Sequence, residues 1–155
     1  MIQRVQTIYL LIASTLTFCL FGLPYATISS SQFSTEVTTC YLRPYIGSLS
    51  TTTMLPLIFV AVLVAIMCLT SIFIYNNRTL QMKLTKINIA LQAILLITMV
   101  LYTQGITRVL GVDNTIETSF QFALCFPIIN IILLSLAFKG IKKDDDLVKS
   151  ADRLR

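Results

Sequence analysis

The sequence predicts an all-α membrane protein, a four-transmembrane-helix bundle with both termini on the cytoplasmic side. Three observations predict it. Four apolar runs each approach the thickness of a bilayer core. The composition is 55% hydrophobic and only 12% charged over 155 residues, against about 25% charged in soluble domains. Lysine and arginine concentrate in alternate connections. The mean hydropathy of +0.81 agrees. So small a body has too much surface to hide this apolar area, so hydrocarbon is the natural medium for its outside.

The runs lie at 5–23, 55–75, 87–106 and 120–138. At the helical rise, the first covers roughly 28 Å, enough to cross. Arg4 precedes it and Pro24-Tyr25-Ala26 follows, a poor cleavage signal, so the run is expected to stay as a span. The second carries Pro56 in its first turn, where a missing N–H costs little. The third is expected to begin its helix early, near Leu80, because Leu80, Leu84, Ile87 and Leu91 keep a helical period while Lys83 and Lys86 snorkel. The fourth contains Pro127, which is expected to free the carbonyl of Ala123 and kink the helix.

Orientation follows from the basic residues outside the spans. Ten (Arg4, Arg78, Lys83, Lys86, Lys139, Lys142, Lys143, Lys149, Arg153, Arg155) fall on one side, and two, Arg43 and Arg108, on the other. The richer side is cytoplasmic. This places loops 27–53 and 107–119 outside and loop 76–86 and tail 139–155 inside. Tyr9 and Tyr75 then sit near the inner boundary, Tyr25 and Tyr102 near the outer, as amphipathic rings prefer. The excess of basic residues is explained by membrane threading, and nucleic acid is not an expected partner. Asn77-Arg78-Thr79 matches a glycan acceptor, but on the inner side the match is empty.

In the first outer loop, β-branched and aromatic residues between positions 33 and 46 are expected to form a small β-hairpin. In the second, 111–114 reads as a turn. The tail is expected to form a separate short amphipathic helix: Asp144, Asp145 and Asp146 crowd its start and Lys149, Arg153 and Arg155 its end, which suits the helix dipole. Asp145 can pair with Lys149 at i+4, and Leu147, Ala151 and Leu154, with Val148 beside them, form an apolar stripe.

No Asp, Glu, Lys, Arg or His falls inside any of the four spans, which argues against proton-coupled pumps and voltage sensors. Uncharged polar residues do occur there. Asn88 and Gln92 share one face of the third span with Met99 and Thr103, and Asn130 lies mid-way along the fourth. They read either as interhelical hydrogen bonds or as a polar track shared between subunits of an oligomer. Ala61 and Ala65, with Cys68 on the same side, read as a close-packing seam. The four cysteines (19, 40, 68 and 125) include no C-x-x-C pair, and no histidine is present, so no metal site and no cofactor is expected. The candidate nucleophiles outside the spans are Cys40 and hydroxyls, with no base nearby in sequence.

The segments MIQRVQTIYL at 1–10, YNNRTLQ at 75–81, and KD at 143–144 with LVKSADRLR at 147–155 resemble an uncharacterised family of four-span inner-membrane proteins from Bacteroidota. The likeness runs the length of the chain, with Asp145 and Asp146 departing mildly from the usual acidic pair. The resemblance implies a multi-pass protein of the bacterial inner membrane and carries no assigned activity. It turns attention to the inner face, where the three segments would meet.

The expectation is therefore a non-enzymatic accessory or scaffolding subunit, contacting lipid and docking membrane or cytoplasmic proteins through Arg78, Leu80, Gln81 and Lys83 of the inner loop and Leu147, Val148, Ala151, Arg153 and Leu154 of the tail. The alternative is an oligomeric channel or transporter for a small solute or ion, using Asn88, Gln92 and Asn130.

Overall fold

A computed structural model describes residues 5–29, 34–40, 42–43, 55–74, 77–110 and 117–153. Four helices follow the four apolar runs: α1 (Val5–Cys19), α2 (Leu55–Phe73), α3 (Arg78–Leu110) and α4 (Phe126–Arg153). Helix α1 packs on α2 and α4, and α3 packs on the same two, so the helices close into a ring in chain order. Three stretches are long and apolar enough to cross a membrane: Leu55–Phe73, Arg78–Arg108 and Phe122–Ser150. Helix α1 is apolar but only 15 residues long.

The faces are arranged for an apolar surrounding. Phe59, Ile97, Leu101 and Ile132 stand outward with more than half their surface exposed, while the amides of Asn88, Gln92 and Asn130 are fully buried. A water-soluble bundle shows the reverse distribution. Ala61, Ala65 and Cys68 are buried along one side of α2, which bears out the packing seam within the protomer.

At one end lies a four-stranded sheet in the order β3-β2-β1-β4, made of β1 (Pro24–Ser29), β2 (Ser34–Thr38), β3 (Leu42–Arg43) and β4 (Glu117–Phe120). The β1–β2 hairpin realises the strand tendency of the first loop, starting earlier in the chain than expected. The second outer loop supplies a strand that carried no expectation: β4 pairs antiparallel with β1, Ala26 facing Phe120 and Ile28 facing Thr118. A register shift between Pro24 and Ala26 makes a bulge that sends Tyr25 inward together with Ala26 and Ile28. Tyr25 is thus a core residue rather than an interfacial one. It joins Leu20, Val37, Leu57, Leu95 and Met99 in the cluster that seats the sheet on the helices.

Several boundaries differ from expectation for local reasons. Helix α1 stops at Cys19 and Leu20 to Gly22 turn, because Pro24 cannot continue a helix and disfavours helical backbone at Leu23. Pro127 does not kink a helix. It is the second residue of α4, preceded by a 3₁₀ turn (Phe122–Cys125), and the Ala123 carbonyl accepts from the Phe126 N–H instead of being left free. Residues 78–86 are helix rather than loop: the Asn77 carbonyl accepts the first helical bond from Gln81, and α3 runs on in one piece. The tail likewise is no separate helix, since α4 continues through it to Arg153. At about 50 and 42 Å, α3 and α4 exceed the roughly 30 Å of a hydrocarbon core. The surplus forms a basic end opposite the sheet. The turn expected at 111–114 lies outside the described residues.

Candidate functional site

The basic end is built where α1 begins, α3 begins and α4 runs past the bundle. Gln6 Nε2 donates to Asp144 Oδ2 at 2.8 Å, and Arg78 Nη1 donates to the backbone carbonyl of Asp144 at 2.8 Å. One residue of α4 thereby ties three remote parts of the chain. Gly140, one turn before Asp144, makes the approach possible: a Cβ there would come within 2.8 Å of Gln6 Cγ. The Gln6 side chain lies across the bare glycine to reach the carboxylate.

Between the start of α3 and the tail half of α4 lies a cavity of about 340 Å³. Lys83 and Lys86 line it from α3, and Lys142, Asp145 and Lys149 from α4, together with Phe138. Lys86 Nζ sits 5.1 Å from the centre of the Phe138 ring, a cation–π distance. Lys149 donates to Asp145 Oδ2 at 2.6 Å, the i+4 pair expected from sequence. That hydrogen bond, reinforced by the charge of Asp145, holds the Lys149 ammonium above the usual lysine range. The ammonium is solvent-exposed, so the pair orders the helix surface more than it stabilises the fold.

A second polar group sits mid-bundle. Thr17 Oγ1 donates to the Ala13 carbonyl at 2.8 Å and accepts from Asn130 Nδ2 at 3.0 Å and from Gln92 Nε2 at 3.3 Å. Asn88 Nδ2 donates to Cys68 Sγ at 2.9 Å. These five residues are drawn from all four helices and each is fully buried. The amide oxygens of Asn88, Gln92 and Asn130 find no partner among the described residues. With no charged side chain in the group, the arrangement clamps the helices in register and leaves amide oxygens to accept hydrogen bonds.

A family model described as a domain of unknown function, DUF4293, matches residues 2–154. The chain belongs to the DUF4293 family. No functionally curated protein matches it.

In this DUF4293 protein, the residues singled out from sequence divide into three sets. Arg78, Lys83, Leu147 and Val148 lie together at the basic end, Leu147 and Val148 being 59% and 44% exposed, and Leu80 is 47% exposed on α3. Gln81 is turned inward, donating to the Ser71 carbonyl of α2 at 3.0 Å. Leu154 and the side chains of Ala151 and Arg153 lie outside the described residues. Asn88, Gln92 and Asn130 each donate a hydrogen bond to a neighbouring helix inside one protomer.

Two contributors to these sites, Gly140 and Thr17, carried no readable signal, and Gln6 stood out only as part of the resembling segment 1–10. A glycine in a basic stretch and a threonine inside a span are each unremarked locally, and only the pairing of α1 with α4 gives the three residues their roles. Among the described residues no group of three or more metal-ligating side chains occurs.

Proposed function

We propose that this DUF4293 protein is a non-enzymatic accessory or scaffolding subunit of an inner-membrane assembly. It crosses the membrane four times with both termini in the cytoplasm, and it docks partner proteins through its basic end. The observation that carries this reading is the joining of Gln6 and Arg78 on Asp144. A surface assembled from three chain segments and held by two buried-edge hydrogen bonds is preorganised, and preorganisation is what lowers the cost of association.

Helix α1 supports the four-span topology despite its length. Its first turn reaches Asp144 at the basic end, and the Leu20 carbonyl just beyond its last turn accepts from Thr39 Oγ1 at the sheet end. It therefore runs the same course as its longer neighbours. The positive-inside rule then assigns the basic end to the cytoplasm. Docking is favoured over an oligomeric channel because Asn88, Gln92 and Asn130 are buried within a single protomer, whereas a pathway between subunits needs them on the outer surface.

The test is affinity isolation of the full chain from membranes in mild detergent, beside a variant carrying Leu147→Asp and Val148→Asp. The reading expects defined partner proteins with the parent chain and their loss with the variant. Recovery of the protein alone, or of its own oligomer alone, overturns it.

A further inference from the structure

We infer that the lysine-lined cavity between α3 and α4 is a binding site for the headgroup of an anionic phospholipid, with phosphatidylglycerol the best chemical fit. The inference does not rest on the docking of proteins. It stands on the cavity, its charge and its depth.

The charge comes first. Four lysines against Asp145 and Asp146 leave the lining with a net positive charge of two. Asp145 is already engaged by Lys149 at 2.6 Å, so Lys83, Lys86 and Lys142 supply the excess. Ammonium groups gathered around one cavity suit a phosphodiester, which lysine binds as a point charge. A zwitterionic headgroup would bring its own ammonium into that field and meet repulsion.

Shape and depth then favour a lipid over a free phosphate. The volume of about 340 Å³ falls within the range of small-ligand sites, about 300–1,000 Å³. The floor is apolar, formed by Met82 and Phe138. Phe138 closes the apolar run of α4 and Lys139 follows it directly, which puts the floor where hydrocarbon gives way to headgroups. Below it the outward faces stay apolar, with Ile87 on α3 and Leu136 on α4 both exposed. A phosphate held by the lysines thus has room for acyl chains on the membrane side. Basic pockets between helices at this level are a recurrent form of anionic lipid site.

The carboxylates refine the choice. Asp146 lines the same cavity, and a carboxylate is wasted on a bare phosphate but accepts hydrogen bonds from hydroxyls. Phosphatidylglycerol offers a phosphodiester and a glycerol with two hydroxyls, matching both halves of the lining.

The full chain, purified in mild detergent, is exposed to vesicles containing equal parts phosphatidylglycerol, phosphatidylethanolamine and phosphatidylcholine, and the lipid retained is identified by native mass spectrometry. Selective retention of phosphatidylglycerol is expected. The paired change Lys86→Gln and Lys142→Gln should cut it by about tenfold or more, in keeping with the contribution of each lysine at a membrane surface. Arg108→Gln, at the other end of the molecule, should leave it unchanged. Lys83→Gln with Lys149→Gln is a second pair, in case the first disturbs folding as read by helical circular dichroism. Equal retention of the three lipids, or unchanged retention in a folded double variant, overturns the inference. Competition by soluble glycerol phosphate as effective as that by the lipid would also overturn it, by showing a free phosphate to suffice.

Discussion

Arg78 and Asp144 lie 66 positions apart in the chain, yet the guanidinium of one donates to the backbone carbonyl of the other at 2.8 Å. Gln6 completes the join from α1, lying over Gly140 to reach the Asp144 carboxylate. Glycine inside a helix costs about 1 kcal/mol relative to alanine, so the position carries a penalty that the contact with Gln6 must offset. Gly140→Ala in the parent chain should displace Gln6 and give no net gain in stability. In a Gln6→Ala background the obstruction is gone, and the same change should stabilise by about 1 kcal/mol. Reversible unfolding in mixed micelles measures the four corners of this cycle.

Thr17 and Thr15 offer a paired contrast within α1. Thr17 accepts from two amides of other helices, while Thr15 is exposed and returns its hydroxyl to the Leu11 carbonyl of its own helix. Thr17→Val keeps the shape and strands Gln92 and Asn130. Interhelical bonds of this kind average about 0.6 kcal/mol and reach about 1.7, so the loss should be about 1–3 kcal/mol. Thr15→Val should change stability by less than about 0.5 kcal/mol. The same unfolding assay reads both.

The helices were legible in the sequence wherever apolar length and period agree, as were the Ala61–Ala65–Cys68 seam and the Asp145–Lys149 pair, because each depends on residues close together along one helix. Features that depend on meetings between helices were not legible. The pairing of β4 with β1 joins residues about ninety positions apart, and β4 is only four residues long. Pro127 has the same chemistry at a helix start as within one, and only the preceding 3₁₀ turn decides which applies. The tail reads as separate from α4 because charge replaces apolar residues after Phe138, but that marks the end of an apolar run and not of a helix. Of the candidate site, the lysines and the exposed Leu147 and Val148 could be read in advance. Gln6, which ties them to α1, could not.

Tyr25 sets the alkaline limit of the sheet. Burial pushes its phenol up to about 12, with Tyr102 adding to the effect and the nearby Thr103 hydroxyl opposing it. A group that holds its proton more tightly when folded contributes stability that is intact below its ordinary value near 10 and is lost as the pH rises towards 12. Stability should therefore fall by on the order of 2–3 kcal/mol across that window. Tyr25→Phe should flatten the fall, and unfolding midpoints at about pH 10, 11 and 12 reveal whether it does.

Cys40 follows the same logic with a chemical readout. Partial burial pushes its thiol above the usual range, which lowers the thiolate fraction at neutral pH and with it the rate of alkylation. Maleimide should react with Cys40 more slowly than with a cysteine in an unfolded peptide at pH 7, and the two rates should converge in denaturant. A rate above that of the peptide would point to an activated thiol and favour an enzymatic role.

The threading of the chain underlies both the docking surface and the lipid cavity, and single-cysteine labelling tests it most directly. With the native cysteines replaced by serine, Thr118→Cys marks the sheet and Ser150→Cys the tail; both residues are exposed. A membrane-impermeant maleimide applied to intact spheroplasts should label the first at once and the second only after lysis. Labelling of both from the same side would contradict the account.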